Sequence, residues 1–310
     1  MEYAINTFLS GTVLVTSDCI RHKSKRATCR QCIDYCEHHA LSLTENETVA
    51  VKAEACTRCG GCVFACPVMA IEGPMPQRRA EDERLYQDGE SIPSLKELLL
   101  YYHEGYRTLI LDESHPSWMN IVEEANTFLH SINKPPFSII SPSLNNNDSY
   151  FKREDSAIKR RRLLGIGLIQ RYLKQDELPK NISLAEVFKP YQQFSIDVST
   201  ERCSLCGSCL QLCPAGVFHY QDRQFSVDTG KCVGCRLCEA SCPEEALSVR
   251  PDVKESAVSS YAFHAALCPR CQRRYPSLSP DEHLCPACVV RERLRFSTQR
   301  IGMNSLNFPQ

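Results

Sequence analysis

The chain has 310 residues and balanced charge, 36 Lys plus Arg against 37 Asp plus Glu for a formal net charge of −1, so whole-chain electrostatics give no case for nucleic acid. Its 20 cysteines are the outlier, and "MEYAINTFLSGTVLV" has neither the basic n-region nor the small-residue cleavage site of a secretory signal, which points to a reducing, cytoplasmic setting and away from a disulfide scaffold. The longest apolar run, "LLGIGLI" at 163–169, is far shorter than the roughly 18 residues that mark a membrane span.

In chain order, "TVLVT" at 12–16 reads as a short strand and is followed by Cys19. "CRQCIDYCEHHAL" then supplies Cys29, Cys32 and Cys36, and "CTRCGGCVFACPVMAI" supplies Cys56, Cys59, Cys62 and Cys66, closed by Pro67. The second run has the order C-x2-C-x2-C-x3-C. That spacing holds 4Fe-4S cubes, because a tight loop with a cysteine at every third position points three sulfurs at three irons of one cube. The run at 29–36 matches only the last three positions; the first would be residue 26, which is an arginine. Cys19, folded back by a longer loop, is the preferred substitute ligand, with His22 or an open iron as competitors. Cys36 is followed by Glu37 instead of proline, and His38 and His39 read as surface residues.

Residues 92–141 contain no cysteine. In "SLKELLLYYHEGY", Leu95, Leu98, Leu99 and Tyr102 share a helical face, with Ser94 capping the start and Gly105 ending it. "RTLILDE" reads as a buried strand and "PFSIIS" as a second. Between them "PSWMNIVEEANTFLHSI" reads as a helix that turns Trp118, Ile121, Val122, Ala125 and Phe128 or Leu129 inward. No Gly-rich phosphate loop accompanies this β-α-β pattern, so it is read as an insert that packs or docks, not as a nucleotide site. Beyond the polar "NNNDS", residues 152–178 form a basic amphipathic helix with Leu164, Leu168 and Tyr172 at four-residue steps. Its cluster Lys159–Arg162 makes either a solvated face or a contact for an anionic membrane surface or an acidic subunit.

The cysteine spacing then returns twice: Cys203, Cys206, Cys209 and Cys213 before Pro214, and Cys232, Cys235, Cys238 and Cys242 before Pro243. Between them "CPAGVFHYQDRQFSVDTGKC" places a strand, a polar turn and a strand, and "CPEEALSV" repeats the exit. On these residues the chain resembles the bacterial-type ferredoxins with two 4Fe-4S clusters. The resemblance implies a pseudo-twofold fold in which the last cysteine of each run crosses to the other run's cluster. The implied sets are Cys203, Cys206, Cys209 with Cys242, and Cys232, Cys235, Cys238 with Cys213. Carried to the N-terminal runs, it implies Cys19, Cys29, Cys32 with Cys66, and Cys56, Cys59, Cys62 with Cys36. A core this small needs its clusters as staples.

Downstream, Cys268 and Cys271 face Cys285 and Cys288 across "QRRYPSLSPDEHL". Two C-P-x-C knuckles suit one tetrahedral four-thiolate ion, zinc by default, with rubredoxin-like iron as the alternative. Arg270, Arg273 and Arg274 around them read as a docking or solvated face. The expected architecture is α+β: a dicluster ferredoxin-like domain at 1–76, a small α/β insert at 77–144, a linker and basic helix at 145–190, a second dicluster ferredoxin-like domain at 191–255, and a zinc-ribbon-like module with a tail at 256–310. The expected function is electron transfer through up to four 4Fe-4S clusters, as iron-sulfur subunit or partner of a multi-subunit oxidoreductase, in the cytoplasm or peripheral at the inner face of the membrane. The central pattern is similar to that of iron-sulfur proteins accompanying molybdenum-dependent oxidoreductases. The alternatives are an accessory factor supplying reducing equivalents to a metalloenzyme, and a redox-sensing nucleic-acid regulator. No catalytic residue is expected, since the radical-type C-x3-C-x2-C order is absent.

Overall fold

A computed structural model describes residues 12–141 and 182–300, apart from 77, 82, 88–90, 113, 114, 280, 282 and 283. The basic helix read at 152–178 and the "NNNDS" linker lie outside the described residues.

The N-terminal unit runs β1 (Leu14–Val15), α1 (Ile20–Lys23), α2 (Gln31–Tyr35), β2 (Leu41–Leu43), β3 (Val49–Val51), α3 (Gly61–Ala65) and β4 (Ile71–Glu72). Its first and last strands pair antiparallel, Val15 opposite Ile71, while β2 and β3 form a hairpin with Leu41 opposite Val51. Val13, Leu41, Val49, Val63 and Ile71 are thereby buried around Cys32, Cys62 and Cys66.

The insert follows as β5 (Ala80–Glu81), β6 (Arg84–Tyr86), α4 (Leu95–His103), β7 (Thr108–Ile110), α5 (Pro116–Ser131) and β8 (Ser138–Ile140). The strands lie in the order β5-β6-β7-β8, and β6, β7 and β8 are parallel. Parallel neighbours need a crossover, which α4 and α5 provide. Ser94 caps α4 by accepting from the Glu97 N–H at 3.2 Å. The apolar face at Leu98, Leu99 and Tyr102 is buried as its periodicity implies, but Leu100, Tyr101 and Glu97 are buried too, so α4 is enclosed on nearly every side. It packs with Leu109, Leu111, Trp118, Val122, Ala125 and Leu129, each close to fully buried and worth ~1.5–3 kcal/mol for a large apolar side chain. Glu97 is tolerated there because Arg78 meets it through two nitrogens, Nε at 2.8 Å and Nη2 at 3.4 Å. Phe64 of α3 enters the same core, and the Tyr35 hydroxyl donates to the Ile92 carbonyl. Insert and N-terminal unit are thus one packed body.

After the undescribed stretch, α6 (Leu184–Val187) opens on a capping box between Ser183 and Glu186 and sends Leu184 and Phe188 into the insert core, with Phe188 edge-on to Phe128 at 5.2 Å. The second cysteine-rich unit runs β9 (Tyr191–Val198), α7 (Ser208–Leu212), β10 (Phe218–Gln221), β11 (Gln224–Asp228), α8 (Leu237–Ser241), β12 (Leu247–Glu255) and β13 (Val258–Ala262). It repeats the N-terminal frame: β9 pairs with β12, the first strand with the last, and β10 with β11 in a hairpin. The hairpin turn places Asp222 and Arg223 in the left-handed region (φ 50° and 58°), as a two-residue hairpin loop requires. One difference from the boundary set at 255 is that β13 adds to β11, with Ser260 opposite Ser226, and extends the unit's sheet to 262.

The C-terminal part is a two-stranded ribbon, β14 (His264–Leu267) with β15 (Arg274–Ser277), followed by α9 (Pro286–Arg300). Among the described residues no helix is long and apolar enough to cross a membrane.

Candidate metal centres

The ligand loops share a backbone design that the cysteine spacing alone does not state. In each complete run the residues flanking the second cysteine are left-handed: Arg58 and Gly60 (φ 62° and 78°), Leu205 and Gly207 (52° and 77°), Gly234 and Arg236 (68° and 57°). These turns wind the first two sulfurs inward and start helices α3, α7 and α8, of five residues each, which carry the third cysteine. The fourth cysteine caps each helix at its C-terminus. Three residues later the chain turns left-handed again at Met69, Gly216 and Glu245, with an N–H returning to the carbonyl of the fourth cysteine at 3.3 Å in each case.

The incomplete first run keeps half of this design. His39 takes the same left-handed turn (φ 50°) and its N–H reaches the Cys36 carbonyl at 3.0 Å, so the exit forms with Glu37 where the other runs have proline. Its entry differs. Arg30, which occupies the place of Gly60 and Gly207, has φ −132°, and Arg26 is exposed at the position of the missing cysteine. Cys19 instead stands at the N-cap of α1. Its loop is held by Arg21, a buried side chain whose Nε donates to the Cys29 carbonyl at 2.6 Å and whose Nη1 reaches Glu47 at 3.1 Å. His22 is exposed.

Thiols of different runs come within electrostatic reach of one another. Burial pushes Cys32 up to about 12, and Cys66, Cys29, Cys19 and Cys62 push it in the same direction. Cys62 is likewise pushed up to about 12 by burial, then by Cys59, Cys56 and Cys36. Cys209 reaches about 12 through burial, Cys203, Cys206 and Cys242. Cys238 is raised by burial, then by Cys235, Cys232 and Cys213. Two cavities report the same convergence without reference to charge. One, small and enclosed, is lined by Cys213, Cys232, Cys235 and Cys238 together with Ile196, Val217 and Val249. The other, about 750 Å³, is lined by Cys36, Cys56, Cys59 and Cys62 and extends to Ser94 and Lys96 of the insert. Neighbouring thiols, of which Cys32, Cys62, Cys66, Cys232 and Cys238 are buried, repel one another as thiolates, so these donors fit a cationic iron core that replaces their protons. Backbone donors complete the fit: the Ala70 N–H points to Cys66 Sγ at 3.2 Å and the Ala246 N–H to Cys242 Sγ at 3.3 Å.

The last four cysteines make a different kind of site. The sulfurs of Cys268, Cys271, Cys285 and Cys288 all lie within 4.8 Å of one another, and three of the four residues are buried. The Cys285 N–H, at 3.3 Å from Cys268 Sγ, pulls the Cys268 thiol well below its ordinary value, while burial pushes Cys288 up. A tetrahedral ion needs four donors this close. Of the neighbouring arginines, Arg270 pairs with Glu292 of α9 at 3.2 Å.

Known proteins place this geometry. The 4Fe-4S dicluster domain family matches residues 195–243 and the 4Fe-4S binding domain family matches residues 49–72. "Ferredoxin 7Fe" of Hydrogenibacillus schlegelii is 36% identical over 52 residues, which is 16% of this chain and 67% of the relative. The chain belongs to the 4Fe-4S ferredoxin family. Its similarities run to longer proteins as well. "Archaeal-type glutamate synthase [NADPH]" of Thermotoga maritima is 38% identical over 60 residues, 19% of this chain but only 12% of the relative's length. A probable iron-sulfur subunit of the frd operon in Proteus vulgaris is 27% identical over 113 residues, covering 33% of this chain and 71% of the relative.

The two matched segments of this ferredoxin hold twelve cysteines of the cluster type, Cys56 to Cys66 and Cys203 to Cys242, while Cys19, Cys29, Cys32 and Cys36 precede the first segment. Sequence reasoning missed the left-handed Arg58, Leu205 and Arg236, since those positions carry no glycine, and missed Arg21, whose role depends on reaching a carbonyl eight residues away.

Proposed function

We propose that the chain is an electron-carrying subunit or partner of an oxidoreductase, with a 4Fe-4S cluster in each of four cysteine sets and zinc in a fifth, four-thiolate site. The observation that carries this reading is the crossing. Cys66 influences Cys32 ahead of the thiols of its own run, and Cys213 lines one cavity with Cys232, Cys235 and Cys238. On this reading the ligand sets are Cys19, Cys29, Cys32, Cys66; Cys56, Cys59, Cys62, Cys36; Cys203, Cys206, Cys209, Cys242; and Cys232, Cys235, Cys238, Cys213.

Bound clusters supply one-electron redox chemistry. The chain's own residues hold and tune them. Sulfur-directed N–H groups at Ala70 and Ala246 favour the more negative state of the site and raise its potential. Lys96, whose ammonium is pushed down by burial against the opposing charge of Cys66, acts in the same sense as a nearby cation. The four-thiolate site leaves no open coordination position, which suits a structural ion. The Proteus relative, named for an iron-sulfur subunit, supports a subunit role. We assign the ferredoxin-like units to 1–76 and to 191 through β13, the α/β insert to 77–144, and the zinc-ribbon-like module to the residues that follow β13, in a chain operating in the cytoplasm.

Anaerobic reconstitution with metal and labile-sulfide analysis tests this reading. About sixteen irons, four per cube, and about one zinc are expected per chain. About eight irons would overturn the four-cluster assignment, and colourless protein without labile sulfide would overturn the function.

A further inference from the structure

The two ferredoxin units touch, and one of their contacts is apolar. Ile20, Ala27 and Leu237 form a buried apolar cluster, 1%, 4% and 0% exposed, with Cys29, Val68, Leu212 and Cys235 packed against it. Every non-cysteine member stands within two positions of a ligand cysteine: Ile20 follows Cys19, Ala27 precedes Cys29, Val68 follows Cys66, Leu212 precedes Cys213, and Leu237 lies between Cys235 and Cys238. All of those cysteines belong to two sets only, Cys19, Cys29, Cys32, Cys66 on one side and Cys213, Cys232, Cys235, Cys238 on the other. Cys29 and Cys235 thus pack against the same buried cluster from opposite units, and the Ser24 and Ser241 hydroxyls meet at 3.4 Å beside the junction.

We infer that Ile20, Ala27 and Leu237 form the electron crossing between the two units, so that the four ligand sets make a single file in which the Cys29 and Cys235 sets are inner and the Cys56 and Cys203 sets are the terminals. The inference rests on the electron-transfer reading. Its physical basis is that tunnelling falls off steeply with distance and is favoured by a dry, close-packed medium, which apolar side chains at full burial provide. At one terminal Cys206 is exposed, with Tyr220 nearby. The other terminal borders the cavity that opens between the N-terminal unit and the insert.

The test uses the full chain, reconstituted anaerobically. Iron content is measured first, because about sixteen irons establish the clusters independently of how they are arranged. Fully reduced wild-type protein and Ala27→Glu, which places a charge in the junction without touching a ligand, are then compared by electron paramagnetic resonance. Expected is retention of the irons with loss of part of the magnetic broadening. In a second measurement Cys56→Ala and Cys206→Ala are combined to leave the inner pair. Its reduced spectrum is expected to show spin–spin splitting that Ala27→Glu abolishes. Two isolated, non-interacting signals from the inner pair, or an unchanged wild-type spectrum on Ala27→Glu, would overturn the crossing while leaving the electron-transfer reading intact.

Discussion

Gly207 and Gly234 are both left-handed residues of ligand loops, and they separate two costs that are usually confounded. Each has φ near +70° (77° and 68°), so an alanine at either position incurs the Cβ–carbonyl strain of the left-handed region, roughly 1–2 kcal/mol. Around Gly207 nothing lies within 4 Å of an added Cβ, whereas at Gly234 that atom would stand 2.2 Å from Phe194 Cζ and 2.5 Å from its Cε1 and Cε2. Phe194 belongs to β9, which is anchored across seven residue pairs to β12, so relief has to come from the ring leaving its rotamer and not from the strand. Overpacking of this kind costs roughly a further 1–3 kcal/mol. Gly207→Ala is therefore expected to weaken its unit by roughly 1–2 kcal/mol and Gly234→Ala by roughly 2–5 kcal/mol. The readout is the guanidinium midpoint at which anaerobic protein loses its visible iron-sulfur absorbance, measured for both variants and for Gly234→Ala combined with Phe194→Leu. Trimming the ring is expected to recover most of the difference between the two alanine variants. Equal losses at both glycines, or no recovery with Phe194→Leu, would refute the contact as the cause.

Three further outcomes are expected. Cys213→Ser removes or converts the cluster held by Cys232, Cys235 and Cys238 and leaves the Cys203, Cys206, Cys209 site spectroscopically intact; the reverse pattern in iron content and paramagnetic resonance would break the crossed assignment. Glu97→Ala leaves the Arg78 guanidinium buried without its counter-ion, 1% exposed with Ser91 as its remaining hydrogen-bond partner among the described residues, and is expected to cost roughly 3–5 kcal/mol in denaturant unfolding, against less than 1 kcal/mol if the pair were dispensable. Glu186 is held below the usual carboxylate range, first by the Ser183 N–H and then by the Ser183 hydroxyl. Because its folded value is depressed, the stability it contributes is complete above the ordinary glutamate range and is lost as pH falls through the lowered folded value. Thermal unfolding of Glu186→Gln is accordingly expected to lose that acid-side dependence.

The parts of this fold that were legible from sequence are those where chemistry forces a local pattern. Cysteines at fixed spacing announced the clusters because three sulfurs must reach one cube from one short loop, and Ser94, Leu98, Leu99 and Gly105 announced α4 because caps and faces are local. What stayed hidden depends on partners remote in sequence. Glu97 looks like a solvated residue of the first helical turn until Arg78, 19 residues earlier, is seen buried against it. β5 and β6 are too short to carry a readable alternation, and β13 earns its place only through its pairing with β11. Arg236 gave no glycine to mark its left-handed turn, although the loops at Gly60 and Gly207 show that the position demands one.

The same reasoning bears on how two ferredoxin units become one conductor. A ligand loop has two obligations, to aim sulfur inward and to finish its outer surface, and in a lone small ferredoxin that outer surface faces water. Here Ile20 after Cys19 and Leu237 before Cys238 are apolar and buried against the other unit, while Leu205 and Leu210 beside the outer Cys206 and Cys209 are only half-buried. Apolar residues so close to the ligands would be a liability on an exposed loop, since they add nothing to thiolate binding and expose surface to solvent. Their burial against the other unit removes that cost and brings Cys29 and Cys235 into electrostatic reach. On the four-cluster reading, burial of the residue beside the ligand against the other unit, and not its chemical type alone, is what separates an inner centre from a terminal one.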